Sequence, residues 1–257
     1  MVLEVKKACK NFGGLAAVSD VSFSIRKGEI FGLIGPNGAG KTTMFNLITS
    51  MFPLTTGEIV FQGDNINGLK PNKITEKGIC RTFQNIRLFP LMSAEENVMV
   101  GVHSRSKSGV LSSVFRTKSQ RKEEAAIRKR AKELLEFVGL DDFADITAEN
   151  LAYGQQRRLE IARAMASDPQ LLLLDEPAAG MNETETSELF QLIKKIQTLG
   201  ITVLLIEHDM PLVMNLCDRI AVLNFGKKIA EGTPEEIQNN PAVIEAYLGS
   251  EEEEEYA

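Results

Sequence analysis

Between the apolar run Ile30-Phe31-Gly32-Leu33-Ile34 and a stretch of helical spacing from Thr42 to Thr49 stands Gly35-Pro36-Asn37-Gly38-Ala39-Gly40-Lys41-Thr42. This segment limits the possible folds more than any other in the chain. It has the form G-x-x-x-x-G-K-[ST], and a buried strand before it with a helix after it is the setting of a phosphate-binding loop. Such a loop turns its backbone N–H groups inward as a concave anion nest, backed by the positive end of the helix dipole. Its glycines let the backbone approach phosphate oxygens that a Cβ would hold away. Lys41 is placed to reach the β- and γ-phosphates and the Thr42 hydroxyl to ligate Mg²⁺, with Thr43 extending the binding set into the helix. A nucleoside triphosphate with Mg²⁺ is the expected ligand, and an α/β fold of the phosphate-loop NTPase type with a mostly parallel core sheet is the expected architecture.

Further apolar stretches end in polar groups, as strands of a parallel sheet do when they aim side chains at one edge. Leu171-Leu172-Leu173-Leu174 is too apolar for anything but a strand buried on both faces, and it runs into Asp175-Glu176-Pro177. Asp175 is the expected Mg²⁺ partner, and Glu176 can take a proton from an attacking water. The plainer alternative is a loop that merely starts with two acids. Ile201 to Ile206 leads into Glu207-His208-Asp209. His208 either orients the water or the γ-phosphate, or is a solvated surface histidine. Ile79-Cys80-Arg81-Thr82-Phe83-Gln84 reads as a strand ending on a glutamine, followed by a loop from Asn85 to Pro90 that offers Leu88 and Phe89 outward. His103 stands in a serine-rich stretch with no such setting and reads as solvated.

Leu3 to Lys6, Val18 to Ile25 and Gly57 to Phe61 alternate in polarity and predict antiparallel strands beside the phosphate-loop core. Phe12, just before Gly13-Gly14, either stacks on an adenine ring or makes a local core contact. From Met92 to Asn150 helix formers dominate, with a loop over Ser104 to Gln120 and a helix over Arg121 to Gly139 carrying Ala125, Ile127, Ala131, Leu134, Leu135 and Val138 inward. The expected organisation is a nucleotide-binding core of residues 2–91 and 168–249, interrupted by a helical subdomain at 92–167. Leu189, Leu192, Ile193, Ile196 and Leu199 form one helical stripe stopped by Gly200. Arg219 to Leu223 and Lys228 to Ala230 predict a hairpin, and Thr233-Pro234-Glu235-Glu236 a capping box.

The net charge of -6 misleads, because the glutamates at 251–255 account for most of it; the remainder carries 29 basic and 30 acidic side chains. Neither bulk nucleic-acid binding nor an acidic substrate follows from so even a balance. Residues 250–257 read as an acidic, disordered tail. The 10 basic residues from Arg105 to Lys132 read as a solvated face or as a contact for anionic lipid headgroups. Cys9, Cys80 and Cys217 are far apart, which predicts reduced thiols and neither a disulfide framework nor a zinc site. The first residues lack the layout of a secretory signal, and no apolar run approaches the ~20 residues needed to span a bilayer. A protein soluble when isolated is expected, meeting a membrane only through a partner.

Leu151-Ala152-Tyr153-Gly154-Gln155 opens a helix from Gln156 to Ala164 and is a degenerate form of the signature of ATP-binding cassette ATPases. Together with the phosphate loop, Asp175-Glu176 and His208, it makes the chain resemble the ATPase subunits of ABC transporters from Val2 to Gly249. The resemblance implies an ABC-type ATPase fold with an N-terminal antiparallel β subdomain and an inserted helical subdomain. It makes Gln84 a Mg²⁺- and γ-phosphate-sensing glutamine, Ala178 to Asn182 the loop after the acids, His208 the switch histidine and Phe12 the adenine-stacking aromatic. It implies a head-to-tail dimer with a second ATPase subunit, itself or a paralogue, whose ATP is covered by Leu151, Ala152, Tyr153, Gly154 and Gln155. It also implies two membrane permease subunits, an extracytoplasmic binding protein reached indirectly, no nucleic-acid partner, and a peripheral place on the cytoplasmic face of the inner membrane. Arg87, Leu88 and Phe89 are then candidates to meet a permease helix, against the alternative of local packing.

The Leu151 to Arg163, Glu176 to Asn182, Leu205 to Met210 and Asn240 to Gly249 segments are similar to the ATP-binding subunits of bacterial branched-chain amino-acid importers. Ala152 and Tyr153 depart from the usual serine and glycine, so backbone donors are expected to carry more of the trans contact, and Tyr153 is open to a packing role. A soluble ABC-type ATPase of nucleic-acid repair is the rival reading, weakened by the lack of a long coiled-coil insertion or zinc cysteines. An assembly ATPase acting on a protein partner is a further alternative.

Overall fold

The computed structural model describes residues 1–103 and 118–254, the side chains of 103, 118–121 and 248–254 excepted. In chain order the strands are β1 (Leu3–Phe12), β2 (Leu15–Ile25), β3 (Ile30–Ile34), β4 (Thr56–Phe61), β5 (Asp64–Asn65), β6 (Ile79–Arg81), β7 (Leu171–Asp175), β8 (Thr202–Ile206), β9 (Arg219–Asn224) and β10 (Lys227–Gly232). The helices are α1 (Lys41–Ile48), α2 (Pro71–Lys77), α3 (Ala94–His103), α4 (Lys118–Phe137), α5 (Tyr153–Met165), α6 (Glu183–Thr198), α7 (Met210–Leu216), α8 (Pro234–Gln238) and α9 (Pro241–Glu254). The strands make an antiparallel sheet in the order β2-β1-β4-β5 and a second sheet in the order β10-β9-β3-β8-β7-β6. In the second sheet all neighbours are parallel except the β9–β10 hairpin.

Every residue of β3, β7 and β8 is buried. This is why the Leu171 to Leu174 run lacks alternation: both faces of a parallel sheet are covered, so both need apolar side chains. The period-2 geometry of each strand divides them between two cores. Ile30, Ile34, Leu172, Leu174, Val203 and Leu205 face a cluster that continues through α3, α4, α5 and α6. Phe31, Leu33, Leu171, Leu173, Leu204 and Ile206 face the opposite cluster with Phe45 and Ile48 of α1 and the inner side of the antiparallel sheet. Asn182 Oδ1 accepts from Glu185 N at 3.0 Å and Glu185 Oε2 from Asn182 N at 3.1 Å, a reciprocal cap that starts α6.

Several expectations are corrected. Strand β6 stops at Arg81, so Thr82 to Gln84 leave the sheet, although Thr82 N still donates to Leu173 O at 3.0 Å. Leu88 is not offered outward; it packs half-buried against the larger core, whereas Phe89 is 45% exposed. Leu199 lies past the last turn of α6 and is exposed, because the stripe it would continue ends with the helix. The basic helix begins at Lys118 rather than Arg121, and Ala125 faces solvent. Most of the Ser104 to Gln120 loop, with the first basic residues of the Arg105 to Lys132 stretch, lies outside the described residues. His103 ends α3 instead of standing in a loop. The acidic run is helical through Glu254 as the continuation of α9, with Glu255 outside the described residues.

None of the three cysteines is in a disulfide, and Cys80 and Cys217 are buried. Burial pushes the Cys217 thiol up to about 12, which keeps it protonated and unreactive at neutral pH. Among the described residues no helix is long and apolar enough to cross a membrane.

Candidate nucleotide-binding site

Parallel pairing of β3, β8, β7 and β6 brings their C-terminal ends to one edge, where open α/β sheets place their ligands. Asp175 is in register with Ile206, and Gly32 with Leu205. The phosphate loop, Gln84, Asp175-Glu176 and Glu207-His208 therefore emerge side by side, although up to 173 positions separate them in sequence (35 to 208). They frame an open cleft of about 640 Å³ lined by the loop from Asn37 to Thr43, by Gln84, Glu176 and His208, and by an apolar wall including Phe12, Leu15 and Phe225.

Gly40 sits at φ +100°, and a Cβ there would come within 2.6 Å of Ala17 O, so the loop closes onto β2 only with glycine. The N–H groups of the first turn of α1 have no acceptor within the helix; the first bond back along the chain runs from Met44 N to Gly40 O at 2.9 Å. Lys41 is buried, and its Nζ donates to Gly35 O at 2.6 Å and Pro36 O at 2.9 Å. Burial lowers its pKa, opposed by the charges of Glu176 and Asp175. An ammonium taken out of water and held by neutral carbonyls has unused capacity for an anion. With free N–H donors beside it, this is a fitting cradle for phosphate. Lys41→Ala is expected to weaken nucleotide binding about 10- to 100-fold, the worth of a charge-assisted hydrogen bond or two. Calorimetric titration of the variant, with its unfolding curve as control, checks this.

Asp175 is buried and its Oδ2 is bound by Arg81 at 2.7 Å. Arg81 also donates to Asn46 Oδ1 at 2.7 Å and so ties β7 to α1. Oδ1 of Asp175, the exposed Thr42 hydroxyl and the Gln84 amide oxygen are hard oxygen donors of the kind Mg²⁺ takes when substrate phosphates complete its shell. The donor set fits that ion.

Glu176 is a non-glycine residue at φ +47°, the sparsely populated left-handed region. That turn swings its side chain off the strand axis and across the edge. Gln84 Nε2 donates to Glu176 Oε2 at 2.8 Å, and His208 Nε2 lies 2.6 Å from Oε1. The buried Glu207 accepts from Ala178 N at 2.9 Å and His208 N at 3.2 Å, fixing the backbone on both sides of the site. Burial raises the pKa of Glu207.

Phe12 makes the local contact expected of it and also faces the cleft. Its ring is 42% exposed and lines the cleft, while its edge meets Phe52 at 5.3 Å. Leu151, Ala152, Tyr153, Gly154 and Gln155 do not line the cleft. Leu151 is buried, Ala152 is the N-cap of α5, and Tyr153 begins the helix three residues earlier than expected. Gln155 Oε1 accepts from Ala152 N at 2.9 Å, but Ala152 has no side-chain acceptor to complete the cap. Tyr153 stands next to Gly180 of the loop after the acids, and its hydroxyl is 3.3 Å from Arg157 Nη2. That supports the packing role for Tyr153.

Arg81, Glu207, Arg157, Glu160, Leu15 and Phe225 are site or supporting residues that sequence reasoning missed. Arg157 and Glu160 lie in a run with helical spacing, where two charges three apart read as a solvated pair; only their burial shows otherwise.

A family profile described as ABC transporter matches residues 18–179, and one described as branched-chain amino acid ATP-binding cassette transporter matches residues 227–253. The chain is 49% identical to the high-affinity branched-chain amino acid transport ATP-binding protein BraF of Pseudomonas aeruginosa, over 96% of this chain and 98% of that one. To LivG of Escherichia coli, a protein of the same description, it is 48% identical with the same coverage. The ADP conformation of an ATP-binding cassette of an ABC transporter superposes with TM-score 0.84 and 34% identity, over 96% of this chain and 98% of that one. A dimeric cassette bound to ADP and phosphate superposes with TM-score 0.76 and 29% identity, over 90% and 98%. With its phosphate loop, its acids and its glutamine gathered at one sheet edge, the chain belongs to the ABC transporter ATP-binding family, in the branch that holds LivG and BraF.

Proposed function

We propose that this protein is the ATP-hydrolysing, energy-coupling subunit of an importer for branched-chain amino acids. The observation that carries the reading is the convergence of an anion cradle, a carboxylate aimed across the sheet edge and two polar groups that hold that carboxylate. In this reading the loop from Gly35 to Thr43 and Lys41 bind the phosphates, Phe12 stacks on the adenine, and Glu176 removes a proton from the attacking water while His208 orients it. Mg²⁺, held by Thr42, Gln84 and Asp175, neutralises phosphate charge when bound. The cleft is open to solvent. Closing it calls for N–H donors at a helix start, which the corresponding turn of a second ATPase subunit, a copy of this chain or a paralogue, supplies in a head-to-tail dimer, as Gly154 and Gln155 of this chain do for the partner's ATP.

Residues 2–91 and 168–249 then form the nucleotide-binding core, 92–167 the helical subdomain, and 250–257 an acidic appendage. Arg87 and Phe89 face a permease helix, Leu88 having turned inward. The subunit sits peripherally on the cytoplasmic face of the inner membrane with two permeases, and an extracytoplasmic binding protein delivers the substrate. The nucleic-acid and assembly alternatives have no comparable support. Purification from native membranes, with mass spectrometry of the co-purifying chains, tests the reading. Two permease chains and a second cassette are expected; recovery free of any membrane chain overturns it.

A further inference from the structure

The tight turn between β9 and β10 carries a side chain that its backbone shape argues against. Asn224 pairs with Lys227, so Phe225 and Gly226 alone make the connection. Both lie in the left-handed region, at φ +44° and +75°. A two-residue hairpin loop of this kind favours Asn, Asp or Gly at its first position, because a bulky residue is strained there. This chain has phenylalanine instead, and its ring is 80% exposed. Burial in the core does not account for a ring so placed. The turn is also fixed against the nucleotide cleft. Gly226 N donates to Ala39 O of the phosphate loop at 3.0 Å, and Gly226 O accepts from Ser19 N of β2 at 2.8 Å. Phe225 thereby joins Phe12 and Leu15, which pair across the β1–β2 turn, in the apolar wall of the cleft. The polar lining belongs to the phosphate loop and the sheet edge.

From this geometry we infer that Phe225 is a second base-binding residue, which covers the nucleotide base together with Phe12. A base offers a flat π-face, and an aromatic ring grips it by stacking without any hydrogen bond to its edges. Strained backbone of this kind persists where the surrounding structure enforces it, and it gathers at ligand sites. Here the enforcing contacts are those of Gly226, which tie the turn to the same loop that cradles the phosphates. A turn already fixed loses little freedom when a ligand arrives, so more of the stacking appears as affinity. The phosphate loop then sets the part of the affinity that depends on charge, and the two hairpin turns set the part that depends on the base. The identity of the ligand as ATP rests on the proposed function; the place of the ring beside the phosphate cradle does not.

Calorimetric titration of the full-length chain with Mg²⁺-ATP and with Mg²⁺-tripolyphosphate, which has no base, tests this. Phe225→Asn gives the turn a residue it favours, so its melting temperature should be no lower than that of wild type. Its affinity for ATP should fall by about fivefold or more, the low end of what one aromatic ring contributes to holding a base. Its affinity for tripolyphosphate should stay within about twofold, and Phe225→Tyr, which keeps the ring, should bind ATP as wild type does. Transferred nuclear Overhauser effects between adenine H2 and H8 and phenyl protons read the contact directly. They should persist in Phe12→Leu and vanish in Phe12→Leu/Phe225→Asn. ATP affinity unchanged in Phe225→Asn, or phenyl contacts already lost in Phe12→Leu, overturns the inference. So does an equal loss for ATP and tripolyphosphate, which is the mark of a disturbed phosphate loop. A wild type that binds tripolyphosphate as tightly as ATP removes the base subsite and leaves the phosphate cradle standing. One that binds neither overturns the nucleotide reading and the inference with it.

Discussion

Glu176→Gln is expected to lower ATP turnover by roughly a hundredfold or more, the range of a positioned proton acceptor, while ATP binding stays within a few-fold. The amide fills the same volume at the same left-handed backbone position, and its oxygen still accepts from Gln84 Nε2, so the fold of the edge is kept. It has no basic lone pair to take a proton from water. Single-turnover hydrolysis alongside nucleotide titration separates the two effects. Glu207→Gln is the informative control, because Glu207 is buried against the N–H groups of Ala178 and His208 and does not line the cleft. A Glu176→Gln protein that turns over at the wild-type rate removes Glu176 from the role of base.

Arg157→Met is expected to destabilise the fold by about 3–5 kcal/mol, because it takes from the buried Glu160 carboxylate the cation hydrogen-bonded to it and leaves only the charge of Arg163 nearby. Glu160 is 1% exposed and burial already raises its pKa, so the remaining charge has little water to turn to. For a chain of this size that loss corresponds to a drop in melting temperature on the order of 10 °C. The double change Arg157→Met/Glu160→Met should return to within about 2 kcal/mol of wild type, since a buried pair replaced by apolar groups of similar volume is often neutral. Urea unfolding of the single and double variants measures the difference. Equal losses in both would mean that the pair is held for packing rather than for charge balance.

The nucleotide motifs were legible for a local reason: each is a short segment whose residue types and neighbours together specify a backbone shape. Gly35 to Thr42 can cradle phosphate in one conformation, and the apolar runs ending in Asp175 and Ile206 can only be strands that stop at a polar edge. The tight hairpin between β9 and β10 and the Thr233 cap were readable in the same way. Misreadings fell where a side chain's environment is set by distant chain. Leu88 was read outward with the rest of its loop, and turns inward because the larger apolar core takes it up. Thr82 to Gln84 looked like strand because their composition suits one, but β6 is an edge strand paired only with β7.

What the sequence by itself determined is the chemistry available: an anion cradle, two acids, a histidine and a glutamine, each at the end of a segment that forms locally. What only the tertiary structure decided is their relation. Parallel pairing in the order β3-β8-β7-β6 set Glu176 between Gln84 and His208, and put Arg81 on one oxygen of Asp175. The burial of Arg157 and Glu160 under the Gln84 loop turned an ordinary helical charge pair into a clamp. The physical reason is range: backbone conformation follows from neighbours along the chain, whereas desolvation and hydrogen-bond partnership depend on what packs against a group, which no local spacing encodes.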